Sequence, residues 1–118
     1  MNQEIKQKWI EALKSDEYRQ GKLALKNYDD TFCCLGVLCD LYIKEKGLKW
    51  TAPIEGSQGY YTLCTETDRA RTHLPDEVVT WADMDSRYGS YVEGSSLMAD
   101  NDNGKSFLEI ANIIRENF

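Results

Sequence analysis

The chain has 118 residues, 42% of them hydrophobic and 29% charged, with a net charge of −6 and an isoelectric point near 4.8. That composition fits one globular domain, residues 1–118, large enough to bury a core without disulfides or metal. No apolar run approaches the ~18 residues of a transmembrane helix, and the basic footprint of a duplex-binding domain is absent, so neither membrane nor nucleic acid is an expected partner.

Residues 3–15 have the period of an amphipathic helix: Ile5, Trp9 and Leu13 recur every fourth residue, and Asn2 is suited to cap it. Lys22 to Lys26 alternates with period two and reads as a short strand, followed by a turn over Asn27–Asp30. Thr31 then caps the most apolar segment, Phe32 to Ile43. Apolar residues lie nearly all round it, the mark of a helix buried on most sides. Gly36 costs about 1 kcal/mol against Ala in a helix interior, so another element is expected to approach closely there. Lys44 and Lys46 suit the last turn, and Gly47 suits the position after it.

Leu48–Ile54 and Tyr60–Thr65 read as a hairpin joined by the loop Glu55–Gly59, and Thr67–Leu74 as a third extended stretch. Pro75 fits the first position of a further helix, with Asp76 and Glu77 complementing its dipole. Residues 85–96 are a loop, and Leu97–Ala99 a short strand. Ser106 and Glu109 form a capping box for a last helix, whose buried face is Phe107, Ile110, Ala111, Ile113 and Ile114. The expected fold is α+β, about four helices packed on a small antiparallel sheet.

Cys33, Cys34, Cys39 and Cys64 accompany a polar N-terminus without the apolar core of a signal peptide, so a reducing cytoplasm is expected. Cys34, Cys39, Cys64 and His73 could in principle make a three-cysteine, one-histidine zinc site. Their spacing suits small core hydrophobes better, and neither metal nor cofactor is expected. A catalytic thiol would need a cationic partner or a helix N-terminus, and Cys33 and Cys34 could sit in the first turn of a helix. With His73 the only histidine, and no pair of carboxylates set apart for acid–base work, no catalytic residue is assigned and an enzyme is not supported.

Ala99 to Ser106 fits a relaxed nucleotide-loop pattern ending in Gly104-Lys105-Ser106. Asp100 and Asp102 would face the phosphates, and the chain lacks a run of βαβ units; what survives is an anion held by Lys105 and the helix start at Ser106. More informative are Arg69, Arg71 and His73, which would share one face of a strand. Such a face can grip phosphate or carboxylate through bidentate contacts, with Tyr60, Tyr61, Tyr88 and Tyr91 as a stacking wall. Residues 76–102 hold seven acids and one base, Arg87, which is a solvated surface or a patch for a basic partner.

One pattern runs through most of the chain: Trp9, Ala12-Leu13, Tyr18 and Gln20, then Cys33-Cys34-Leu35-Gly36-Val37-Leu38-Cys39-Asp40-Leu41, then Leu74-Pro75 and Trp81, then Asn101-Asp102 before Ser106-Phe107 and Ile110-Ala111. It resembles a family of small proteins encoded by tailed phages and prophages, and its specific part is the cysteine-rich helix. That family has no assigned activity, so no catalytic residue transfers. The resemblance implies a phage accessory protein made in a bacterial cytoplasm, for which counter-defence is a common role by analogy. The expected function is therefore sequestration of a small anionic, nucleotide-like ligand without catalysis. The alternative is a protein–protein inhibitor that presents the acidic 76–102 segment to a host factor. Self-association to a homo-oligomer is left open.

Overall fold

Asn2 caps the first helix as its sequence predicts: its Oδ1 accepts the Ile5 amide at 3.0 Å and starts α1, Gln3–Lys14. In this computed structural model, which describes residues 1–53 and 59–118, four more helices follow: α2, Cys34–Lys46; α3, Asp76–Ala82; α4, Leu97–Asp102; and α5, Phe107–Asn117. Four two-residue strands make two sheets among the described residues. β1 (Arg19–Gln20) pairs in parallel with β2 (Thr31–Phe32), and β3 (Leu63–Cys64) pairs antiparallel with β4 (Arg69–Ala70). The class is α+β, as expected, but with five helices and with the sheet reduced to two short ladders.

α2 is the centre. Cys34 through Asp40 are all buried, and α1, α3 and α4 pack around it while α5 lies along α1. Gly36 has the expected reason. A Cβ there would run into the backbone carbonyl of Leu25, so the loop before β2 rests directly on the helix. Gly47 closes α2 in the left-handed conformation at φ 68°. The sequence misplaces the start of this helix. Cys33, not Thr31, is the N-cap, its Sγ accepting the Gly36 amide at 3.4 Å, because Thr31 and Phe32 are held in β2.

A polar hub locks four segments together. Asn101, fully buried, accepts the Cys34 amide at 3.1 Å and the Gln20 side chain at 2.9 Å, and donates to the Gly21 carbonyl at 2.8 Å. Trp9 Nε1 donates to the Cys34 carbonyl at 3.0 Å from the other side. Buried polar atoms fully paired in this way fix one arrangement of their neighbours.

Three expected elements differ. Lys22–Lys26 is not a strand. Ala24 and Leu25 are both buried, which breaks the alternation, and Leu23 sits at φ 70° with its amide on Asp102. The Leu25 amide instead bonds the Arg71 carbonyl at 2.7 Å. Leu97–Ala99 is helix rather than strand, because Ser96 Oγ accepts the Ala99 amide and caps α4. Among the described residues the expected hairpin reduces to one bridge, Thr51 with Thr62, before β3 turns to pair with β4. Ile54 and the loop residues Glu55–Gln58 lie outside the described residues. Pro75 is the N-cap of α3, one place earlier than its sequence suggests, and the Ser106–Glu109 capping box is present. No helix among the described residues is long and apolar enough to cross a membrane.

Candidate functional site

β4 sets the site. Ala70 points into the core and is fully buried, so the flanking Arg69 and Arg71 face outward, as alternation requires. The Thr51–Thr62 bridge, held by amide–carbonyl bonds of 2.8 and 2.9 Å, brings a second pair of side chains alongside. Together with Tyr60 and the backbone about Ala52, Pro53 and Gly59, these residues line a cavity of about 550 Å³. The described lining offers two guanidinium groups, two hydroxyls and one phenol ring, and neither a carboxylate nor an imidazole. Among the described residues neither arginine forms an ion pair.

Of the nine residues singled out in the sequence, Arg69, Arg71 and Tyr60 meet here. The other six lie elsewhere. His73 leaves the arginine face because the ladder stops at Ala70. Its Nε2 sits 3.3 Å from Asp68 Oδ2, whose carboxylate also lies 3.9 Å from Arg87, and Arg87 in turn pairs with Asp76 at 2.8 Å. Tyr88 packs near His73, with 6.2 Å between ring centres, and lines a separate cavity of about 430 Å³ with Val92 and Met98. The Tyr61 ring takes the Lys26 ammonium over its face at 4.2 Å. Tyr91 donates its hydroxyl to Asp100 and packs on Phe118. At Lys105–Ser106 most of the donors at the helix start are engaged within the fold: Ser106 N and Oγ meet the Glu109 carboxylate, Phe107 N bonds Gln20, and Glu109 N bonds Ser106 Oγ. The strand that a nucleotide loop would need ahead of it is helix α4.

Cys64 is a neighbour of the site that sequence reasoning passed over as core. It is exposed, and it stands opposite Arg69 in the β3–β4 register. Thr51 Oγ1 donates to its sulfur at 3.5 Å, and Thr62 Oγ1 lies at 3.7 Å. Those two hydroxyls, and then Arg69, hold the thiol below its ordinary pKa. The other three cysteines are buried as expected. Burial pushes Cys33 up to about 12 and raises Cys34 and Cys39 as well. No group of three or more His, Cys, Asp or Glu among the described residues is arranged to hold a metal.

Asp40 forms a second polar cluster whose acceptors are filled from within. Tyr18 donates to Oδ2, Trp50 Nε1 to Oδ1 at 3.0 Å, and Lys44 Nζ lies 3.2 Å away. Burial alone would raise this carboxyl, but the Tyr18 and Trp50 bonds and the Lys44 charge together bring it below the usual aspartate value. Tyr18, buried and donating to a carboxylate, is pushed up to about 12. The acids of segment 76–102 are largely tied into the fold: Asp76 to Arg87, Asp83 to the N-terminal amine at 3.9 Å, Asp100 to Tyr91 and Asp102 to the Leu23 amide.

The family model described as Domain of unknown function (DUF8296) matches residues 1–118, so the chain belongs to that family. No curated protein and no solved structure matches it.

Proposed function

We propose that this member of the DUF8296 family binds a small anionic, nucleotide-like ligand in the arginine cavity and holds it without chemical change. The observation that carries the reading is the convergence of Arg69 and Arg71, with no ion pair to a described carboxylate, beside the 42% exposed ring of Tyr60. A guanidinium fork matches the geometry of phosphate or carboxylate oxygens, and charge-assisted bonds of this kind contribute about 1.5–3 kcal/mol each. The Thr51 and Thr62 hydroxyls supply further hydrogen bonds, and the phenol ring gives a planar base a face to stack on.

The resemblance of the cysteine-rich helix to phage-encoded proteins supports a setting in a bacterial cytoplasm, with sequestration of an immune signal as the role. The test is titration calorimetry with inorganic phosphate, nucleoside monophosphates and cyclic nucleotides, followed by chromatography of the recovered ligand. Saturable binding of a nucleotide recovered intact is the expected outcome. Absence of binding across the panel, or recovery of an altered product, overturns the reading.

A further inference from the structure

Arg69 has two neighbours that compete for its charge. On one side it lines the cavity with Arg71; on the other it faces Cys64 across the β3–β4 ladder. Thr51 and Thr62 are shared in the same way: both line the cavity, and both hydroxyls lie beside the Cys64 sulfur. We infer that ionisation of the Cys64 thiol is linked to occupancy of the arginine cavity, the thiolate and an anionic ligand competing for Arg69 and the two threonine hydroxyls. The inference rests on the anion-binding reading and adds a control to that same site.

The sign follows from charge. A thiolate neutralises part of the Arg69 field and takes up the hydroxyl donors, so ligand affinity falls as the thiol ionises. By linkage, a bound anion raises the thiol pKa by the same coupling. The Thr51 and Thr62 hydroxyls and the Arg69 charge lower the Cys64 thiol from its ordinary value, so the exchange is looked for on the alkaline side of neutrality. Other groups face Cys64 from its far side: Tyr42 and Lys46 on α2, Glu77 on α3, and Glu66 in the turn after β3. Burial, then Glu77 and Glu66, raises Tyr42. Tyr60 faces the same ligand from within the arginine cavity, and replacing Cys64 by Ser leaves all of these groups in place, so that variant isolates the thiol's share of any pH slope.

The experiment uses the full chain, with adenosine monophosphate and inorganic phosphate as probes at constant ionic strength. Adenosine monophosphate, a phosphate monoester, is essentially a dianion above about pH 7.5, so its own charge is nearly constant and the slope is read on it; inorganic phosphate still gains charge in this range and serves only to test binding at the lower pH. Wild-type affinity is expected to fall about fivefold or more from about pH 7.5 to 9, a coupling of ordinary allosteric size. Cys64→Ser is expected to bind at the lower pH and to lose that slope. Iodoacetamide alkylation supplies a readout that needs no ligand: Arg69→Gln should slow the reaction of Cys64, the exposed cysteine, below the wild-type rate. A Cys64→Ser variant that keeps the wild-type slope overturns the linkage while leaving anion binding intact. Failure of both probes to bind the wild type at the lower pH overturns the binding reading, and the linkage with it.

Discussion

The start of α2 and the β3–β4 ladder both carry cysteine, and the same side chain has opposite chemistry in the two places. At the helix, Cys33 and Cys34 sit under α1, α4 and the loop before β2, and burial drives their thiols toward the neutral form. At the ladder, Cys64 has two hydroxyls and a guanidinium for neighbours and little covering it, so its thiol is lowered from the ordinary value. Close packing makes the first region rigid and chemically silent. Thin packing leaves the second with side chains whose hydrogen-bonding capacity is still open to a ligand, the usual division between scaffold and site.

The packed region breaks most severely at Gly36. Gly36→Leu is expected to destabilise the fold by about 3 kcal/mol, the upper end for overpacking, because the obstacle is the Leu25 backbone and not a flexible side chain. Chemical denaturation followed by circular dichroism measures it. A variant as stable as the parent would show that the Leu25 loop does not rest on α2.

The polar hub should be next. Asn101→Leu removes the partners of the buried Cys34 amide and the half-buried Gly21 carbonyl and leaves both groups unpaired. A loss of about 2 kcal/mol is expected in the same denaturation series. An unchanged midpoint would mean that solvent reaches these groups.

Much of the packed region is legible in the sequence, and the reason is periodicity. Ile5, Trp9 and Leu13 announce α1, Ser106 with Glu109 announces α5, and Gly36 announces a close approach. Each of these signals is local. The thin region is harder because its structure is set by distant partners. Lys22–Lys26 alternates like a strand, yet its Leu25 amide is taken by Arg71, 46 positions along the chain. Leu97–Ala99 has strand-like composition, yet one serine hydroxyl makes it helical. Arg69 and Arg71 are visible in the sequence as a pair; that Thr51 and Thr62 join them, and that His73 leaves, depends on where a two-residue ladder stops.

Smaller effects sharpen the contrast. Arg69→Lys and Arg71→Lys keep the charge and lose the planar fork, so each should weaken ligand binding about tenfold, or about 1.4 kcal/mol. Exposed positions of this kind should change stability by less than about 1 kcal/mol. Melting temperature and ligand affinity measured on the same samples separate the two effects, and an affinity loss that tracked instability would remove these residues from the site.

Asp40 is the intermediate case, a partly buried group in which hydrogen bonds outweigh burial. Its folded pKa is depressed, so its stabilisation is fully present above the ordinary aspartate value of 3.8 and is lost as pH falls through the lower folded value. Asp40→Asn should therefore cost stability at neutral pH by an amount that shrinks below about pH 4. A difference from wild type that stayed constant across that range would assign the loss to packing and not to charge.

The most direct test of the account is the affinity of the intact chain for a nucleoside monophosphate, measured by calorimetry at fixed salt beside its Arg69→Lys and Arg71→Lys variants. The account predicts saturable binding by the wild type, about a tenfold loss in each variant, and ligand recovered unaltered. Equal affinity in all three proteins, or no binding by the wild type, would contradict it.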